Sequence, residues 1–209
     1  LVLEKNLFRQ NTAQDSAGAL QVYLYTYTGN TGGMTFRNNL VADNEAVGQS
    51  RGGLYIYPRS SSGTTADVIL VNNTVTGNEA AYGAGGIDIR RNDNTTHVYN
   101  NILRGNVSGG AAQDVYLTGT GTTAAYHNDT GVLSGSWDSA GDNIDTDPLF
   151  EDPASGDYHL LKGSPCIDAG TRSAPGYAAR DIESRVRQRP DMGAYEFPRV
   201  CLPFLNLLL

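Results

Sequence analysis

Asp88, Arg90 and Asp114 come nearest, by residue type and spacing, to a set that could act on a substrate. Two acids can divide a hydrolysis between them, one protonating the leaving group and the other activating water, while a guanidinium neutralises a substrate carboxylate. If the alternating runs Gly86 to Arg90 and Asp114 to Thr118 lie on neighbouring strands, the two acids are offset by two positions and stand about 8 Å apart. That separation suits an inverting glycoside hydrolase. A polysaccharide lyase would instead need a Lys or Arg base and an acid-held cation. No Lys stands in these runs and no third acid joins the pair.

Around this set lies a row of aromatic and charged residues. Aligning the runs puts Gln21, Tyr55, Asp88 and Tyr116 in one column and Tyr23, Tyr57, Arg90 and Thr118 in the next, with Tyr25, Arg59 and Asn92 beyond. Tyrosine rings present flat apolar faces with a polar tip, the surface on which sugar rings stack, and Asp and Arg hydrogen-bond to hydroxyls or carboxylates. Tyr23, Tyr25, Tyr55, Tyr57, Asp88, Arg90 and Tyr116 are therefore the candidate ligand-binding residues. The same tyrosines would equally serve as cross-strand pairs that stabilise a sheet face.

What must position these residues is a repeat. Asn6 to Asn11, Asn39 to Asn44, Asn73 to Asn78 and Asn101 to Asn106 each read Asn, any, apolar, any, any, Asn. Their starts are 33, 34 and 28 residues apart, a period proper to solenoids and propellers. An alternating run precedes each copy and a second follows it, with Leu3, Phe36, Leu70 and Val98 as the inward column of the first. Asn, Gly and Thr are poor helix formers, and the copies lack the Asn-Gly hairpins of propeller blades. The pattern predicts an all-β, single-stranded parallel β-helix of about five coils with three strands per coil over residues 1–141. Asn6, Asn11, Asn39, Asn44, Asn73, Asn78, Asn101 and Asn106 are then structural, each amide bonding the ones above and below. Asn tolerates left-handed backbone, so the same residue would also make each corner. A further coil is expected to place Asn128-Asp129 where Asn100-Asn101 stood and to close near Asn143-Ile144. Four glycosylation sequons, at Asn72, Asn94, Asn106 and Asn128, are largely by-products of this repeat.

Composition narrows the partners. The 209 residues carry 15 Lys and Arg against 22 Asp and Glu, a net charge of −7, which excludes a phosphate-backbone partner needing a basic surface. The chain starts at Leu1-Val2-Leu3 without a leader, as a trimmed or mature fragment would. Its apolar tail 200–209, "VCLPFLNLLL", is far shorter than the roughly 20 residues of a membrane-spanning helix. The tail is expected to bury itself against protein, as an anchor or an assembly edge would, or to mark a cut boundary.

Residues 142–199 change character. Asp147-Pro148-Leu149-Phe150, Asp157-Tyr158-His159-Leu160, Gly163-Ser164-Pro165, Ile167-Asp168-Ala169-Gly170 and Asp191-Met192-Gly193-Ala194-Tyr195-Glu196 resemble bacterial right-handed β-helix repeat proteins of the pectate-lyase-like superfamily that end in a choice-of-anchor segment. The resemblance implies a right-handed solenoid, export and attachment to the bacterial surface. Its activities range over lyases, hydrolases and adhesin-like proteins. On physical grounds the proline-rich segment should cap the last coil, whose strand amides are otherwise unpaired. Among its carboxylates Asp145, Asp147 and Asp152 are the weak candidates for a Ca²⁺ site, although the spacing is not that of an EF-hand and no cofactor is required. His97, His127 and His159 show no metal-ligand spacing. Cys166 and Cys201 would form one disulfide in an exported protein, or stay as small buried hydrophobes.

The function expected from these readings is a secreted or cell-surface scaffold, adhesin-like, that meets extracellular polysaccharide through the Tyr/Asp/Arg stripe. The alternatives are a lyase or hydrolase fragment using Asp88, Asp114 and Arg90, and a structural subunit stacking end to end through its uncapped first coil or meeting upstream coils there.

Overall fold

A computed structural model describes residues 1–198 apart from 16, 28–31, 49, 50, 62 and 64. The tail and Cys201 thus lie outside the described residues. The chain is all-β, with parallel strands gathered into stacked sheets, an arrangement compatible with a β-helix. One nine-stranded sheet stacks Val2–Glu4, Met34–Arg37 and Val68–Val71 on the second halves of Ile87–Tyr99 and Val115–Tyr126. The first halves of those long strands pair with Leu54–Ser60, and that strand with Leu20–Thr26. A second sheet holds Leu7–Arg9, Leu40–Ala42, Thr74–Thr76, Ile102–Arg104 and Asp129–Thr130.

The repeat is richer than three strands. A third sheet of two-residue strands, from Thr12–Ala13 to Ala111–Ala112, follows the second Asn of each copy. The shortened period also has a visible cause. Early windings break between the run after the glycines and the next inward run, whereas Ile87–Tyr99 and Val115–Tyr126 cross that point unbroken. Dropping the connecting loop takes the spacing from 33 and 34 to 28.

The inward columns lie as the alternation requires. Leu3, Phe36, Leu70, Val98 and Ala125 are in register, and all but the first are buried in one core with Ile56, Ile87 and Val115. Asparagine ladders flank this core. In one, Nδ2 of Asn6, Asn39, Asn73, Asn101 and Asn128 each donates to Oδ1 of the next residue, ending at Asn143, over 2.9–3.0 Å. The same Oδ1 also accepts a backbone N–H, as in Asn73 N to Asn101 Oδ1 at 2.9 Å. The second proton of the Asn73 amide goes to Phe36 O at 2.9 Å. Every polar valence of a middle rung is used.

Two details of the corners differ from expectation. The left-handed residue is the one before each ladder Asn: Lys5, Asn38, Asn72, Asn100, His127 and Asp142 all have φ of 53–58°. Bend and ladder are therefore divided between neighbours, the amides of Asn38, Asn72 and Asn100 donating to backbone carbonyls of the C-terminal segment. The ladder partner of Asn101 is Asn128, 27 residues on, so His127-Asn128 occupies the place of Asn100-Asn101, one residue earlier than the sequence pattern indicated. The cause is a bulge at Asp93 (φ 54°), which lengthens Ile87–Tyr99 by one residue relative to Val115–Tyr126.

Residues 142–146 follow on from the last winding, with Asn143 ending the ladder and Ile144 bridging Asp129, and the segment then runs along the outer face of the second sheet. Leu133 and Trp137 also pack against the core at that edge. The left-handed corner row is the attachment rail: Asn38 Nδ2 donates to Arg180 O (2.9 Å), Asn72 Nδ2 to Asp191 O (3.0 Å) and Asn100 Nδ2 to Thr171 O (2.7 Å). Ile102 packs with Leu160, Cys166 and Met192, and Leu40 and Ala42 with Tyr158. The physical reason is legible in Leu40-Val41-Ala42 and Ile102-Leu103, strands apolar at successive positions, which need cover on both faces. A buried Arg187 pins the segment, its Nη1 pairing with Glu196 and its Nη2 donating to Asn38 Oδ1 at 3.0 Å. Burial outweighs that cation and raises the Glu196 carboxyl to about 7 and Asp191 to about 6.

Candidate functional site

Parallel pairing of Leu20–Thr26 with Leu54–Ser60 sets the geometry of the tyrosine face. Alternation turns Val22, Leu54 and Ile56 into the core and leaves Gln21, Tyr23 and Tyr25 opposite Tyr55, Tyr57 and Arg59 on the outer surface. Asp88 continues the first column, between Tyr55 and Tyr116, while Arg90 pairs with Thr118. The columns align as the sequence pattern requires.

Their exposure divides them. Tyr23 is 47% exposed and the neighbouring Tyr27 77%, whereas Tyr55 falls to 8% and Asp88 to 2%. Arg51 makes the difference. Its Nε lies 2.6 Å from Asp88 Oδ2 and its guanidinium sits 4.1 Å over the Tyr55 ring, roofing the column. Burial raises the Asp88 carboxyl above the ordinary range, opposed by the Arg51 hydrogen bond and charge. Arg51 leaves no mark in the repeat pattern, since it lies in an irregular loop with no counterpart in the other copies.

Outside this roof the rings form a continuous group. Tyr23 stacks on Tyr25 at 6.0 Å and 14°, meets Tyr57 at 5.1 Å, and Tyr25 meets Tyr27 edge-on at 4.7 Å. Arg59 lies 5.4 Å over Tyr25 and Arg90 4.9 Å over Tyr57. Both arginines are exposed, and among the described residues neither is ion-paired. Tyr116 makes no ring contact with the group among the described residues. No family model, curated protein or solved structure matches the chain. The chemistry of this surface therefore has to be read from its own atoms: an aromatic group edged by two arginines, of which Arg90 lies within the field of the buried Asp88 and neither forms an ion pair among the described residues.

The acids singled out for catalysis have other partners. Asp114 ends the second ladder, which runs from Asn11 through Asn44 and Asn78 to Asn106. Its Oδ1 accepts Asn106 N and Nδ2 at 2.8 and 2.9 Å, and its Oδ2 accepts Val132 N at 2.8 Å. A carboxylate accepts without donating, so it terminates a chain of amides without leaving an orphan proton. Asp88 is held by Arg51. The offset of two positions between them is kept, since Asp114 aligns with Gly86, but both are buried and committed.

The cation candidates are dispersed. Asp145 pairs with Arg104, Asp147 accepts Leu149 N at 2.9 Å, and Asp152 accepts Ser155 N and Oγ at 3.2 and 2.7 Å. Among the described residues no three His, Cys, Asp or Glu side chains are grouped to hold a metal. Cys166 is fully buried with its Sγ 3.4 Å from Asp129 Oδ2, and burial together with that carboxylate pushes the thiol well up. The sequon residues Asn72, Asn94, Asn106 and Asn128 are all buried. No helix is long and apolar enough to cross a membrane among the described residues.

Proposed function

We propose that the chain is a right-handed solenoid of about five coils from an exported bacterial surface protein, and that it acts as a rigid scaffold contacting extracellular polysaccharide through Tyr23, Tyr25 and Tyr57 with Arg59 and Arg90. One observation carries this reading: the Tyr23–Tyr25–Tyr57 group, exposed at Tyr23 and half-buried at the other two, with ring centroids 5.1 and 6.0 Å apart and flanked by exposed arginines that form no ion pair among the described residues. Sugar rings stack on such faces, and a guanidinium adds hydrogen bonds to hydroxyls or to an acidic group. The exported, surface-bound placement rests on the resemblance of residues 142–199. Relative to the stripe expected from sequence, the contact surface is shifted: Tyr55 and Asp88 support it from beneath Arg51. Binding rather than cleavage is favoured because the ion pair to Arg51 and the ladder bonds of Asp114 occupy both candidate acids.

A glycan-array screen of the purified chain tests this, with each hit followed for release of shorter products. Retained binding without cleavage is the expected outcome. Cleavage that survives Asp88→Asn and Asp114→Asn would move the chemistry elsewhere, and absence of any glycan hit would overturn the proposal.

A further inference from the structure

A second surface, remote from the tyrosines in its construction, is built where the lateral segment leaves the first corner. A cleft of about 430 Å³ opens between the ends of Val2–Glu4 and Met34–Arg37 and the loop Tyr177 to Arg180. Its charged lining is Lys5, Arg37 and Arg180 against the single carboxylate of Glu4. Glu4 is already taken, 2.8 Å from Arg37 Nη2. Among the described residues Lys5 Nζ and Arg180 Nη1 are held by neutral oxygens of one residue, Ser184 Oγ at 2.9 Å and Ser184 O at 2.8 Å. Among the described residues neither cation has an ion-pair partner. Ser184 itself sits on left-handed backbone, φ 70°, a conformation that a serine adopts only when its surroundings hold it. In a chain of net charge −7, two such unpaired cations brought within reach of one another from segments 175 positions apart are a local reversal of the field.

We propose that this cleft binds a tetrahedral oxyanion, phosphate or sulfate, free or as an ester on a larger molecule. Three cationic groups approach from a corner, a strand end and a loop. That spread suits an anion with several oxygens better than a planar carboxylate, which a single guanidinium fork would satisfy. Lys5 supplies a point charge, Arg180 a directed donor, and Tyr177 an aromatic wall for the group carrying the ester. The inference stands apart from the glycan reading and uses none of its residues.

The test is a calorimetric titration of the whole chain with inorganic phosphate, inorganic sulfate and phenyl phosphate at fixed ionic strength, chloride serving as the screening control. Saturable binding is expected, weakened about tenfold or more in Lys5→Ala/Arg180→Ala. Because Glu4→Gln removes the one carboxylate among the cleft's described lining residues, it should tighten binding while the circular dichroism stays that of the parent. Tighter binding of phenyl phosphate than of phosphate would assign the ester as the ligand, and equal binding the free anion. No saturable heat with any of the three, or the same affinity in the double variant, would overturn the proposal.

Discussion

The asparagine ladders and the tyrosine face are made by the same device, parallel strands that place like positions one above another, yet they end in opposite states. In the ladders each amide is spent: Asn73 donates to Phe36 O and Asn101 Oδ1 and accepts from Asn39 N and Nδ2. In the tyrosine face the rings lie at 14°, 56° and 81° to one another, and Tyr23 stays 47% exposed. Stacking alone therefore does not tell structure from function. The distinction is closure, whether the groups brought into line satisfy one another or stay available to a partner. Arg51 shows the boundary within a single stripe, closing the Tyr55 and Asp88 column while the next column stays open.

Breaking a closed rung should have the largest effect. Asn73→Ala strands the Asn39 donors and the Asn101 acceptor in the interior, at about 1–3 kcal/mol for each unsatisfied group, and is expected to leave the chain largely unfolded in a urea titration. Asn6→Ala, at the edge where only one neighbour is lost, should cost about 1 kcal/mol. Equal losses would contradict the ladder account. Next comes Arg187→Met, which leaves Glu196 and Asp191 buried without their cation and should cost about 3–5 kcal/mol. Hydrogen exchange should then show residues 147–198 losing protection ahead of the ladder amides.

A smaller effect is expected at Asp114→Asn, where an amide proton replaces an acceptor opposite Val132 N; about 1–2 kcal/mol by thermal unfolding, with no dependence on any substrate. The pH response has a definite sign. Asp191 and Glu196 titrate near 6 and 7 in the folded chain, above their ordinary values of 3.8 and 4.5. The folded state thus holds more protons than the unfolded between about pH 4 and 7, and stability falls as pH rises through that window. Melting should be higher at pH 5 than at pH 7.5, and Glu196→Gln should flatten the difference. Below this window Asp157, held low by the His159 backbone and ring hydrogen bonds, reverses the trend. The smallest structural change is expected on the open face: Tyr23→Ala/Tyr57→Ala should move stability by about 1 kcal/mol, because Tyr23 is 47% exposed and Tyr57 only half-buried, so the pair gives up limited burial.

The repeat, the inward columns and the outer stripe were legible because a period of two and a strict Asn spacing survive in the letters. Asn38, Asn72 and Asn100, each doubled before a ladder Asn, signalled a second task that the sequence pattern merged into the first. The lateral path of residues 147–198 was written in Leu40-Val41-Ala42, whose lack of alternation marks a strand covered on both sides. Arg51 left no such trace, since its role comes from a loop folding back over a column thirty-seven positions away, at Asp88. The bulge at Asp93 was also hidden, because one inserted residue shifts register without altering composition.

The most direct measurement is titration of an array-identified glycan into the parent chain and into Tyr23→Ala/Tyr57→Ala, with both melting curves recorded on the same samples. An affinity loss of about tenfold or more at nearly unchanged melting is the predicted result. Unchanged affinity in the double variant would contradict it, making the tyrosines a packing ladder like the asparagines beside them.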